Sequence, residues 1–144
     1  MAALVTAGTL FVDDDRVLLV HRSGREHEWD IPGGPVLPGR SPAVTASAEL
    51  YEDLGVDRFV RNLLVVDWVP GPESDEFGFV FDGGRLRAAD VRLALGRNGL
   101  DRCEWVPLDQ LADYVPESFA RRLARAVKAR ADATVLTLEH GETI

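Results

Sequence analysis

With 144 residues, a single cysteine and a net charge of −8, from 24 acidic against 16 basic side chains, the chain suits one domain, residues 1–144, and excludes an internal disulfide framework. The acidic balance argues against the phosphate backbone of a nucleic-acid polymer and against an anionic membrane as partners. No basic region precedes the first apolar run, which breaks at Asp13, and nowhere do about 18 apolar residues follow in series, so neither a signal peptide nor a membrane span is expected. The lone Cys103 fits a reducing cytoplasm, and its apolar neighbours mark it as a structural thiol.

Leu4 to Val12 and Arg16 to His21 are apolar runs rich in β-branched residues around Asp13-Asp14-Asp15, which predicts a hairpin. Arg22 leaves the second strand toward a loop, Ser23 to Glu28, in which His27 is given no role. The stretch Trp29 to Val56 then reads as loop, capped helix and stop. Gly33 and Gly34 free the backbone after Pro32, Pro38-Gly39 makes a second turn, Ser41 followed by Pro42 is an N-cap with proline at the first helical position, and Gly55 is the C-cap. Inside the helix Glu49, Glu52 and Asp53 stand at i, i+3 and i+4, with Val44 and Leu50 expected to pack inward. Stacked carboxylates near a helix C-terminus repel one another and oppose the macrodipole. A hard cation with oxygen ligands, Mg²⁺ or Mn²⁺, would offset that repulsion, and a solvated acidic face is the plainer alternative.

Phe59 to Val69 reads as one long strand closed by Pro70-Gly71-Pro72, and Phe77 to Phe81 as another, with Glu73 to Glu76 as an acidic tip between them. Ala88 to Leu95 reads as a short helix or an irregular link and Gly96 to Gly99 as a loop. Arg102 to Val106 follows as a strand and Asp109 to Tyr114 as a short helical segment. Pro116 to Arg130 is a helix with Phe119, Leu123, Ala126 and Val127 on its apolar stripe; Arg121, Arg122, Arg125, Lys128 and Arg130 are expected on a solvated outer face. Thr134 to Glu139 makes a last short strand.

The segments Pro32-Gly33-Gly34, Pro38-Gly39 and Glu49-Leu50-x-Glu52-Asp53-x-Gly55-Val56 resemble the Nudix box, G-x5-E-x7-R-E-U-x-E-E-x-G-U with U a bulky aliphatic residue. The spacing matches without a gap from Gly34 to Val56, and Trp29 and Glu104 to Leu108 extend the likeness along the chain. Three positions depart: Arg40 stands for the first box glutamate, Ala48 for the arginine and Asp53 for the last glutamate. The resemblance implies an α/β fold, an α/β/α sandwich with a mixed, curved β-sheet. It implies Mg²⁺ held by Glu49, Glu52 and Asp53, Glu49 or Glu52 as the catalytic carboxylate, and hydrolysis of a nucleoside diphosphate linked to another group. Arg22, Arg40, Gly33 and Gly34 fall where substrate phosphates are met. A further acid from Asp101, Glu104 or the Glu73 to Glu76 tip would complete the site, and a homodimer is a common arrangement in the family. The loss of the Glu/Arg pair at positions 40 and 48 keeps a second reading open, a Nudix-fold module that binds a nucleotide or a partner protein, or serves another reaction, without hydrolysis.

Overall fold

The computed structural model describes residues 3–24, 28–87, 90 and 99–144. His27, the expected helix or link at Ala88 to Leu95 (Asp90 apart) and most of the expected Gly96 to Gly99 loop lie outside the described residues. The strands are β1 (Leu4–Leu10), β2 (Val12–Asp13), β3 (Arg16–Arg22), β4 (Trp29–Asp30), β5 (Gly33–Pro35), β6 (Leu63–Val69), β7 (Glu76–Asp82), β8 (Leu100–Pro107), β9 (Leu136–Glu139) and β10 (Glu142–Thr143). The helices are α1 (Pro42–Leu54) and α2 (Glu117–Ala131), and Leu108–Asp113 forms a 3-10 turn before α2.

One mixed sheet runs in the order β10-β9-β6-β7-β1-β5, with β1 parallel to β7 and antiparallel to β5. In the other, β3 pairs antiparallel with β2, β4 and β8. The N-terminal hairpin is therefore shorter than its sequence suggests. Only Val12 and Asp13 pair across the turn, with Val17 and Arg16, while β1 leaves at the fully buried Phe11 to join the other sheet. Hydrophobic alternation does not encode which sheet a strand joins, because either partner buries the same side chains. The Val17-Leu18-Leu19-Val20 run is buried on both faces, and its sides feed two cores. Leu18 and Val20 face Ala46, Leu50 and Leu54 of α1. Val17 and Leu19 join Leu123, Ala126 and Ala129 of α2. The result is the expected layered α/β arrangement with a helix on each side.

Helix α1 has the ends its sequence predicts. Ser41 Oγ accepts from Val44 N at 3.1 Å, Pro42 occupies the first turn, and Gly55 closes the helix at φ 69°. Val44 does not pack inward as expected; it is 44% exposed while Leu50 is fully buried. Six residues is not a helical repeat, and the inward stripe is Ala46, Leu50, Leu54 at steps of four. Nor does a strand begin at Phe59. Residues 57–62 are irregular, strapped across α1 by Val60 N donating to Ser47 Oγ at 2.9 Å, and β6 starts only at Leu63.

On α2 the expected basic face is interrupted. Arg122 is buried, its Nε donating to Asp67 Oδ2 at 2.8 Å and an Nη to Glu76 Oε1 at 3.0 Å. Gly78 makes the room: a Cβ there would lie 2.3 Å from an Arg122 Nη. Asp67 is completed by Gly141 N at 3.0 Å, so one ion pair ties α2, β6, β7 and the C-terminal turn together. The remaining basic side chains of α2 are also matched, Arg121 and Arg125 to Glu142, Lys128 to Asp132 and Arg130 to Asp82. Removing one member of a buried pair leaves an uncompensated charge, so Arg122→Ala is expected to cost about 3–5 kcal/mol in urea unfolding. The double change Arg122→Met with Asp67→Leu should recover most of that loss.

Candidate functional site

The Gly33-Gly34 backbone runs between β1 and α1 with no room for a side chain at either residue. A Cβ on Gly33 would sit 2.4 Å from Ala7 O, and one on Gly34 would sit 3.0 Å from Glu49 Cδ. Glycine here serves close approach. It brings the Glu49 carboxyl directly under the loop, which is where the box spacing needs it.

The three carboxylates of α1 meet three different environments. Glu49 is half-buried beneath Gly34, Glu52 is exposed and Asp53 is fully buried. Asp53 forms an ion pair with the equally buried Arg22 and accepts from Gly33 N at 3.3 Å. A helical stripe is about a quarter-turn wide or more, and its edge at Asp53 turns into the protein while Glu52 faces out. Arg22, expected at a strand end facing phosphate, is 5% exposed and lies against Asp53. Arg40 is exposed, and among the described residues its side chain makes no hydrogen bond or ion pair. Its backbone N–H closes the turn by donating to Leu37 O at 3.1 Å.

Four of the acidic residues considered for completing the site, Glu104, Asp75, Glu76 and Asp101, have other partners. Glu104 accepts from Tyr114 Oη at 2.9 Å, and that bond raises the tyrosine pKa. Asp75 accepts from Trp68 Nε1 at 3.0 Å, and Glu76 pairs with Arg122. Asp101 belongs to a cluster that the sequence did not announce. His21, buried, has Nδ1 2.5 Å from Asp101 Oδ1 and Nε2 2.7 Å from Glu28 Oε2, and Ser23 Oγ donates to Asp101 Oδ2 at 2.7 Å. An Nη of Arg102 also lies 3.1 Å from His21 Nε2. Hydrogen bonds from Ser23 and His21 hold the Asp101 carboxyl below the ordinary range. The cluster fastens Ser23 to β8 and Glu28 to His21 of β3. Cys103 is a poor nucleophile, since burial pushes its thiol up.

Beside the Gly33-Gly34 strand a cavity of about 460 Å³ opens toward α2, walled by Trp29, Ile31, Val69, Val80 and Phe119. Asp30, Glu76 and Arg122 supply its charged groups. Asp30 was missed in the sequence; its signal is an acid directly before Ile31-Pro32-Gly33, where apolar residues on either side foretell burial. Burial pushes its carboxyl up from 3.8 to about 6, with Glu76 adding to the rise, against the Ile31 N–H and the charges of Arg22 and Arg122.

The NUDIX domain family model matches residues 3–129. The chain belongs to the Nudix family. Among curated relatives, the mouse protein nucleoside diphosphate-linked moiety X motif 6 is 30% identical over 109 residues, 74% of this chain and 35% of that protein. A CMP-5'-(N-acetyl-N-hydroxy-3-aminopropyl)phosphonate hydrolase of Streptomyces rubellomurinus is 29% identical over 116 residues, 76% of this chain and 54% of that protein. The chain thus spans from about a third to about half the length of these relatives. Among solved structures, a MutT protein of Methanosarcina mazei superposes with a TM-score of 0.69 at 22% identity, covering 91% of this chain and 95% of that one. No described helix is long and apolar enough to cross a membrane.

The raised Asp30 pKa carries a stability consequence. The folded state binds this proton more tightly than the unfolded state, so stability is higher while the carboxyl is protonated and falls as pH rises from about 4 through about 6. Melting temperatures of Asp30→Asn and the parent should converge near pH 4 and separate above pH 6, with the asparagine variant the more stable.

Proposed function

We propose that this Nudix-family chain is a hydrolase of phosphoric anhydride bonds, acting on a nucleoside diphosphate linked to another group. The observation that carries the reading is the Glu49 carboxyl held beneath Gly34, on the strand that also walls the 460 Å³ cavity. A diphosphate lying over the loop would have its reacting phosphorus near α1 and its attached group in the cavity. The names of two relatives, one a nucleoside diphosphate-linked moiety protein and one a hydrolase of a CMP-linked phosphonate, support that substrate class.

The donor chemistry fits Mg²⁺ or Mn²⁺. Among the described residues no three His, Cys, Asp or Glu side chains converge into a ready cage. Mg²⁺ needs no such cage, because it keeps waters and takes one or two carboxylates plus substrate phosphate oxygens. Glu49 and Glu52, one helical turn apart, are the residues we assign to it, and Asp53 joins them only by exchanging Arg22. When bound, the cation would polarise the phosphoryl oxygens and lower the pKa of a coordinated water. Glu49 orients and deprotonates the attacking water. Arg22 keeps Asp53 neutralised and, through Asp53, holds Gly33 in place. Arg40, exposed at the loop, is free to meet a substrate phosphate. The single cysteine fits a cytoplasmic setting and the acidic charge fits a small metal-bound nucleotide as substrate.

A binding module without hydrolysis is the second reading, favoured by Arg40 and Ala48, which leave no loop–helix ion pair at those two positions among the described residues. A panel of nucleoside triphosphates, nucleotide sugars, dinucleoside polyphosphates and ADP-ribose with Mg²⁺ or Mn²⁺ separates the two. Glu49→Gln should lower turnover by about 100-fold or more with an unchanged circular dichroism spectrum. The pair Arg40→Glu with Ala48→Arg should raise kcat while raising KM, because it removes the Arg40 cation from the substrate phosphate. No turnover on any substrate would sink the hydrolase assignment. Gly34→Ala, which pushes the Glu49 carboxyl aside, should lower kcat by about ten-fold or more while costing less in KM.

A further inference from the structure

The charge of the cavity says what its occupant must bring. Arg122 is already divided between Asp67 and Glu76, so it has little left for a ligand anion. Asp30 is different: Oδ1 accepts from Ile31 N at 2.7 Å, and among the described residues Oδ2 makes no hydrogen bond. With Glu76 and Asp30 against one arginine in its lining, itself held by Asp67 and Glu76, this end of the cavity disfavours phosphate and accepts hydrogen-bond donors. Its walls, Ile31, Val69, Val80 and the aromatic Trp29 and Phe119, suit the faces of a flat ring, and its volume suits a nucleoside-sized group.

We infer that Asp30 is a specificity-determining residue that selects an aromatic base presenting two adjacent N–H donors, the ring N–H and exocyclic amine of a guanine-type edge. The inference rests on the proposed nucleotide-linked substrate and names its base. A carboxylate has about four acceptor positions, so the bond from Ile31 N leaves enough for a two-donor edge. Hypoxanthine offers the ring N–H without the amine, and adenine offers a donor beside an acceptor. A half-buried acceptor that turns an open oxygen to the cavity discriminates, once the ligand excludes water, against one that leaves it half satisfied. Charged groups facing Asp30 are Arg22 from β3, Arg122 from α2 and Glu76 from β7. With its carboxyl titrating at about 6, binding of the donor edge favours the ionised form and weakens as the pH is lowered through that value.

The test is equilibrium binding of GMP and IMP, which differ only in the exocyclic amine, to the metal-free protein by calorimetry. The parent should bind GMP about ten-fold or more tighter than IMP at pH 7.5, from one added charge-assisted hydrogen bond, and the preference should shrink at pH 5. Asp30→Asn keeps an oxygen for Ile31 N and presents an amide N–H₂ to the cavity, so its two affinities should fall within about two-fold of each other. Equal binding of GMP and IMP by the parent overturns the inference. So does a preference that survives in a folded Asp30→Asn protein, or a failure to bind either nucleotide. Hydrolysis without a guanine preference would remove this inference and leave the hydrolase; a guanine preference in a protein that hydrolyses nothing would support it and remove the hydrolase.

Discussion

The close approach of the β1 backbone to Gly33 and of the Glu49 side chain to Gly34 is the constraint on which the site depends. β5 lies so near β1 that a Cβ at Gly33 would overlap Ala7 O, and so near α1 that one at Gly34 would press on Glu49. Two consecutive glycines solve one packing problem on each side. On the β1 side they let the strand pair Gly8 with Gly33 and Thr6 with Pro35. On the helix side they set the height of the Glu49 carboxyl. The capped ends of α1 then fix its rotation, because Ser41 and Gly55 leave no slack over thirteen residues. Sheet, loop and helix are consequently registered before any ligand is considered.

Arg22 and Asp53 extend that registration into the core. A buried pair is weak evidence of stabilisation, since desolvation of both ions opposes their attraction, but it strongly resists alternatives that would separate them. Asp53 also holds Gly33 N–H, so the ion pair fixes the same strand from below. Arg22 reaches this position by ordinary strand alternation, on the side of Leu18 and Val20 that faces α1, while His21 points the other way toward Trp29, 4.7 Å between ring centroids. Alternation thus delivers a cation to the box helix and an imidazole to the cluster that fastens the following loop, where it meets Asp101, the extra residue at the register shift of β8.

What could be read in the chain and what could not divides by range. The ends of α1 were legible because a cap is made by residues three apart, and the Gly33-Gly34 loop and helix carboxylates because their spacing is local. The destinations of Asp101 and Arg122 were not. Each is decided by a partner far away in sequence, Asp101 by His21 at 80 residues, Arg122 by Asp67 at 55. A basic face on a helix looks solvated until two strands bring Asp67 and Glu76 beneath it and a glycine at 78 clears the space. The length of β6 failed for a different reason. Val60 is as apolar as a strand residue, yet its N–H goes to a helix serine rather than to a neighbouring strand. Burial and pairing are separate facts, and apolar pattern reports only the first.

The altered box positions gain meaning from the same geometry. In the family pattern a glutamate and an arginine link loop to helix; here Arg40 is exposed and Ala48 carries no charge. The loop is nevertheless held, by Arg40 N–H to Leu37 O, by Val36 N–H to Val5 O at 2.8 Å, and by the glycine contacts with β1. Backbone hydrogen bonds of this kind are indifferent to side-chain replacement. An ion pair made redundant for folding can be lost without moving Glu49, so losing the pair at positions 40 and 48 is not by itself a loss of the site. Its cost falls instead on electrostatics, because the arginine of the family pattern stands beside the first helix carboxylate and Ala48 brings no charge there.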